Sequence, residues 1–170
     1  MALAWVGLGS NLANELGDPR QLLCTAVVGL RQLGAVSVSS LYASAPMGPQ
    51  DQPDYLNAVV CVDTTLNAFE LLAYLQSLEQ RAGRQRLRRW GERSLDLDIL
   101  MMQEIKIQTP DLVIPHVGLM QRAFVVQPLL ELKPDCQING QYLCDLAVAQ
   151  PSADLRIVEG TAWADLQILG

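Results

Sequence analysis

The chain has 170 residues, half of them hydrophobic and 18% charged, with a net charge of −6. That is the content of one compact soluble domain over residues 1–170, and no apolar run approaches the ~18 residues of a membrane span. The opening MALAWVGLGSN puts no basic residue ahead of its apolar stretch, so it does not read as a secretory leader.

LAWVGLG reads as a buried strand running into a tight Gly9-Ser10-Asn11 turn. Asp18-Pro19 supplies an N-cap and a first-turn proline for a helix through Leu22, Leu23, Ala26, Val27, Leu30 and Leu33, closed by Gly34. Residues 35–45 alternate through Val36 and Val38 as one strand. MGPQDQPD is a loop by composition, and YLNAVVCVDTT returns to strand. Asn67 and Glu70 open a second amphipathic helix that ends at Gly83. SLDLDILMM alternates as a strand, with EIKIQ a short strand beside it. Residues 119–132 read as helix up to Pro134, 142–149 as another short helix, and RIVEG as a strand in an irregular tail.

The order β-α-β-β-α-β predicts an α+β, ferredoxin-like antiparallel sheet with a C-terminal extension. The helices are expected on one face, leaving the other to loops and a site.

Charge is distributed unevenly. Residues 1–80 carry two basic and seven acidic side chains, and residues 94–170 carry four and ten. Between them, six arginines (81, 84, 86, 88, 89 and 93) face only Glu92. An acidic protein with one basic island is suited to a small, highly charged anion and not to nucleic acid. Cysteines 24, 61, 136 and 144 form no C-x-x-C pair, which argues against zinc and for reduced thiols in a cytoplasm.

Asp96 and Asp98 share one face of their strand, ~6.5–7 Å apart, while Leu95, Leu97 and Ile99 point to the core. Two like charges this close repel unless a cation joins them, and hard oxygen ligands suit magnesium. The alternative is a plain polar strand face. The arginine segment directly precedes the pair, flanked by Gly83 and Gly91, and guanidinium forks match phosphate oxygens. A phosphate-gripping loop beside a carboxylate pair is what phosphoryl transfer requires, although a solvated basic loop would look the same. There is no P-loop motif, and Leu12 replaces the third glycine of a dinucleotide fingerprint. His116, the only histidine, is either structural or a phosphate or nucleotide contact. Tyr55 and Asn57 share a strand face suited to a flat heterocycle, yet Tyr55 and Phe124 are equally good as core.

Together GSNL, SAPMGPQDQPDYLNAVV, GRQRLRRWGERSLDLDIL, IPH and RAFVVQPLLEL resemble the 6-hydroxymethyl-7,8-dihydropterin pyrophosphokinase family of folate biosynthesis, over roughly residues 5–134. The resemblance implies a monomeric enzyme that moves the β,γ-diphosphate of ATP to the pterin hydroxymethyl group and releases AMP, using two Mg2+ ions. It implies Asp96 and Asp98 as metal ligands and, with Arg84 and Arg93, as catalytic residues. Arg84, Arg86 and Arg93 would contact the triphosphate, with Arg93 stabilising the transferring group. Trp90 would close over both substrates. Glu79, Ile99, His116 and Arg122 would lie at the nucleotide. Tyr55 and Phe124 would sandwich the pterin and Asn57 hold its edge, with Ser44, Ala45, Met47 and Asp96 completing the pocket. The expected partners are these two small molecules, with no nucleic acid and no membrane.

The chain departs from the family pattern at Glu92, Leu87, Asp111 and Val117, all on the nucleotide side. From the residues alone, a non-catalytic ferredoxin-like binding module and a magnesium-dependent nucleotide-transfer enzyme with another acceptor remain alternatives.

Overall fold

The computed structural model describes residues 1–46, 48–83 and 92–169. Its strands are β1 (Ala2–Ser10), β2 (Val36–Val38), β3 (Leu41–Ser44), β4 (Tyr55–Thr64), β5 (Asp96–Met102), β6 (Ile107–Gln108), β7 (Val113–Ile114), β8 (Gln137–Ile138), β9 (Gln141–Tyr142) and β10 (Leu155–Glu159). Its helices are α1 (Pro19–Arg31), α2 (Ala68–Arg81) and α3 (Ala123–Leu132), with short 3-10 turns between residues 119 and 169. The main sheet runs β10-β3-β4-β1-β5, with β2 also on β4, and every pairing is antiparallel. This is the ferredoxin-like α+β arrangement, widened by β10 at one edge.

Both early helices start where their side chains satisfy orphan backbone donors. Asp18 and Gln21 form a reciprocal capping box on α1, and Asn67 and Glu70 form one on α2. The chain leaves α1 through Gly34 at φ +157°, where an added Cβ would lie 2.0 Å from the Asp63 carbonyl oxygen, so only glycine fits.

Alternation along the strands divides the interior in two. Ala4, Val6 and Leu8 of β1, Val60 and Val62 of β4 and Leu97 and Ile99 of β5 pack against Leu23, Val27 and Leu30 of α1 and Leu71 and Leu75 of α2. On the opposite face Trp5, Val59 and Leu100 pack against Val125, Val126 and Leu129 of α3. The expectation that all helices share one face is therefore corrected: α3 covers half of the second face. Helical periodicity shows that α3 has an apolar side, and says nothing about which face of the sheet it meets.

Other elements also differ from expectation. Residues 35–45 break into β2 and β3 at Ser39–Ser40, because the Ser39 hydroxyl accepts the Val59 N–H in place of a carbonyl. EIKIQ lies beside β5 only through one antiparallel bridge, Ile105 to Met102, and its strand proper, β6, pairs with β7. The 119–132 helix is a 3-10 turn followed by α3, which carries Pro128 inside it. The 142–149 segment is two 3-10 turns.

The tail belongs to the fold. β10, at the expected RIVEG, pairs with β3, and Trp163 is 1% exposed with its Nε1–H donating 2.8 Å to the Ser39 carbonyl. All four cysteines are free thiols. Among the described residues no helix is long and apolar enough to cross a membrane.

Candidate active site

Register assembles the site. Asp96 lies opposite Gly9, Gly9 opposite Asn57 and Asn57 opposite Tyr42, which makes one row across four strands. In the next row Asp98 lies opposite Gly7 and Gly7 opposite Val59. These residues share the face that α3 half covers. Towards the N-terminal end of α3, β1 gives this face no side chains, presenting only Gly7 and Gly9. A cavity open to solvent forms there.

Gly9, which reads with Ser10 and Asn11 as a tight turn, lies instead in β1 together with Gly7, where what matters is the missing side chain. A Cβ at Gly9 would meet Asn57 Oδ1 at 3.4 Å and Tyr55 Cδ1 at 3.6 Å, and one at Gly7 would meet Leu100 at 3.3 Å. Asn11, likewise read as a turn residue, is 3% exposed and ties three segments together. Its Oδ1 accepts the Arg93 N–H at 2.9 Å, and its Nδ2 donates to Gln52 Oε1 and the Pro53 carbonyl at 3.0 Å each. Its backbone N–H and that of Leu12 donate to the Arg93 carbonyl. An Asn just after a strand, unable to reach a helix N-terminus, was the available signal.

Tyr55 and Asn57 of β4, Ser44 and Ala45 at the end of β3, and Phe124 and Arg122 at the start of α3 line this cavity together with Asp96, Asp98 and Arg93. Asn57 Nδ2 donates to Ser44 Oγ at 2.6 Å, which fixes the amide's orientation. Burial pushes the Tyr55 hydroxyl up to about 12, so it stays protonated near neutral pH. The Arg122 guanidinium stands 5.9 Å from the Phe124 ring centroid and packs over Gly118, where a Cβ would come 2.7 Å from its Nε.

As expected, the D-x-D strand turns Leu95, Leu97 and Ile99 inward, each 5% exposed or less, and both carboxylates into the cavity. Arg93 Nε lies 4.0 Å from Asp96 Oδ2, and its Nη1 is buried with no hydrogen-bond partner among the described residues. A buried guanidinium N–H on a cavity wall is a donor in need of an anionic oxygen. No group of three or more metal-ligating side chains occurs among the described residues. Two carboxylates alone fit Mg2+, which ordinarily takes one or two carboxylates and fills its octahedron with phosphate oxygens and water.

A second, shallower cavity lies along the outer edge of β5 and is lined by Leu72, Leu97, Ile99, Asp111, His116 and Val117, with Asp98 again on its wall. His116 Nδ1 accepts the Gly118 N–H at 3.0 Å, so its proton sits on Nε2. Burial, aided by Arg122, lowers the His116 pKa below its ordinary value. Glu79, expected at the nucleotide, lines neither cavity. It is 3% exposed and its Oε2 accepts the Leu97 N–H at 2.9 Å, holding the backbone between the two aspartates from behind. Met47, Arg84, Arg86 and Trp90 lie outside the described residues.

The sequence profile of the 7,8-dihydro-6-hydroxymethylpterin-pyrophosphokinase (HPPK) family matches residues 5–134. A Haemophilus influenzae 2-amino-4-hydroxy-6-hydroxymethyldihydropteridine pyrophosphokinase is 45% identical over 150 residues, covering 86% of this chain and 91% of the relative. A Pseudomonas aeruginosa enzyme of the same name is 41% identical over 160 residues, covering 92% and 96%. Among solved structures, a Plasmodium falciparum HPPK-DHPS chain superposes with a TM-score of 0.63 at 16% identity over 87% of this chain; this chain spans only 45% of that longer one. At that identity the superposition speaks for the fold, and the sequence matches speak for the family. The chain belongs to the 6-hydroxymethyl-7,8-dihydropterin pyrophosphokinase family.

Proposed function

We propose that the two cavities are the acceptor and nucleotide sites of a pyrophosphokinase, meeting at the Asp96–Asp98 pair. The reaction is diphosphoryl transfer to 6-hydroxymethyl-7,8-dihydropterin in folate synthesis, as family membership supports. That membership sets aside the non-catalytic binding module. The observation that carries the site assignment is that Asp98 lines both cavities, so whatever it holds touches both ligands.

In the first cavity Tyr55 and Phe124 sandwich the pterin ring and Asn57, fixed by Ser44, reads its edge; Ala45 lines the wall, and the family resemblance adds Met47 to the pterin contacts. The second cavity takes the nucleotide of ATP between Leu72, Ile99 and His116, whose Nε2–H is a neutral donor. Asp96 and Asp98 would hold two Mg2+ ions, which when bound neutralise phosphate charge and align the chain of phosphates. Arg93 donates its unpartnered N–H to the transferring group, Arg122 lines the first cavity, and the family resemblance assigns Arg84 and Arg86 to the triphosphate and Trp90 to both substrates. The pterin hydroxymethyl oxygen attacks the β-phosphorus, the bond from that phosphorus to the α,β-bridging oxygen breaks, AMP departs, and the hydroxyl proton is lost to water. No covalent enzyme intermediate is needed, so the protein's contribution is alignment and charge. The protein acts as a cytoplasmic monomer, without nucleic acid or membrane.

The test is incubation with ATP, Mg2+ and the pterin, followed by separation of nucleotides. Pterin-dependent AMP without ADP is the expected result. ADP, or no consumption of ATP, would overturn the reading.

A further inference from the structure

Helix α3 carries Phe124 into the first cavity, yet its own sequence holds it weakly. Its N-cap residue Arg122 makes no side-chain capping bond, and Pro128, inside the helix, has no N–H to give the Phe124 carbonyl. Ten residues with these two defects would not hold a helix alone. Apolar packing on Trp5, Val59 and Leu100 presses α3 to the sheet, but such contacts are non-directional and tolerate rotation or sliding.

The directional contact is Glu131. One of its carboxylate oxygens accepts from the Ser40 backbone N–H at 3.1 Å and from Ser40 Oγ at 2.9 Å, and the other accepts from the Tyr42 hydroxyl. Glu131 is seven residues after Phe124, two turns along the same helical face, so gripping Glu131 fixes the rotation of the face that carries Phe124. Tyr42 is 5% exposed and pairs across the ladder with Asn57, so the grip reaches the strand position that lines the cavity opposite. Burial and the neighbouring carboxylate both raise the Tyr42 pKa, so the hydroxyl remains a donor. On the outer side Gln127 Nε2 donates to the Val148 and Gln150 carbonyls, which ties α3 to the tail and not to the sheet.

We propose that Glu131, acting through Tyr42 and Ser40, is a positioning residue for pterin recognition: it sets the rotation of α3 so that Phe124 faces Tyr55, and it touches no substrate itself. This rests on the pterin reading of the first cavity.

The experiment titrates wild type, Glu131→Ala, Glu131→Gln and Tyr42→Phe with 6-hydroxymethyl-7,8-dihydropterin and, separately, with MgATP. Glu131→Ala should raise the pterin Kd about ten- to a hundredfold, with the MgATP Kd within about twofold. Glu131→Gln, which keeps one acceptor oxygen, should fall between it and wild type. Tyr42→Phe should raise the pterin Kd a few-fold and add nothing in the Glu131→Ala background. A Glu131→Ala protein that binds pterin like wild type, or that loses both ligands equally, would overturn the proposal. Should Glu131→Ala not fold, an unchanged pterin Kd in Tyr42→Phe overturns it. Failure of the cavity reading shows separately, as a wild-type protein that binds MgATP but no pterin.

Discussion

The two faces of the sheet are made by the same strands and differ completely in what they do. On the α1/α2 face every inward position of β1 is filled: Ala4, Val6 and Leu8 are all 3% exposed or less. On the other face the same strand goes from Trp5 to Gly7 to Gly9, from the largest side chain to none. The first face is a core in which volume is conserved for stability. The second is a core for half its length and a cavity for the rest, bounded by α3. Adjacent residues one bond apart therefore answer to different requirements, and substitutions should separate them.

The largest separation is expected at Asp98. Asp98→Ala should lower kcat by about a thousandfold or more, since it removes half of the magnesium site, while far-UV circular dichroism and Tm stay near wild type. Wild-type turnover would break the comparison at its centre. Arg93→Ala should come next, with kcat falling about a hundredfold and more than the KM for ATP rises, because its free donor is used in the transition state. An unchanged kcat with weaker ATP binding would reassign Arg93 to ground-state binding.

A matched pair sharpens the contrast between the faces. Gly9→Val should fill the cavity floor and weaken pterin binding about tenfold, with MgATP affinity unchanged by isothermal titration. Leu23→Ala, at a site fully buried in α1, should cost about 2–5 kcal/mol of stability and leave the pterin Kd alone. If Gly9→Val lowered only Tm, the floor would be structural.

The smallest effect concerns pH. The His116 pKa is lowered in the folded chain, so its contribution to stability is full above the ordinary histidine value of about 6.5 and declines as pH falls through the lowered value. Chemical denaturation from pH 8 to 5 should show that decline, and His116→Asn should flatten it.

Much of this was legible in the chain. Capping residues at Asp18 and Asn67 and the alternation of SLDLDIL place their elements correctly, because each signal is local and acts within four residues. The family resemblance brought Tyr55, Asn57, Asp96, Asp98 and Phe124 together, and the structure lines one cavity with all five. What escaped is non-local. Nothing near residue 155 announces a ladder to β3, and no periodicity in 123–132 chooses a face of the sheet. Gly9 was misread because glycine has two uses, conformational freedom and the absence of a side chain, and sequence does not say which is in play. Asn11 and Glu131 were missed for a related reason: a buried polar side chain is identified by its partners, which lie 41 and 82 residues away for Asn11 and about 90 for Glu131.

The bond from Trp163 to Ser39 spans 124 residues and seals the α1/α2 core from the far end of the chain. A core whose last wall comes from so distant a residue cannot close on a growing polypeptide at the ribosome until residue 163 has emerged. Until then α1 exposes the apolar stripe around Cys24 that the tail will cover. Contacts of such high sequence separation form late and slowly. A tag or partner domain joined at the C-terminus therefore adds to the chain behind the piece that completes the fold, and linker length there should govern soluble yield more than it would at the N-terminus.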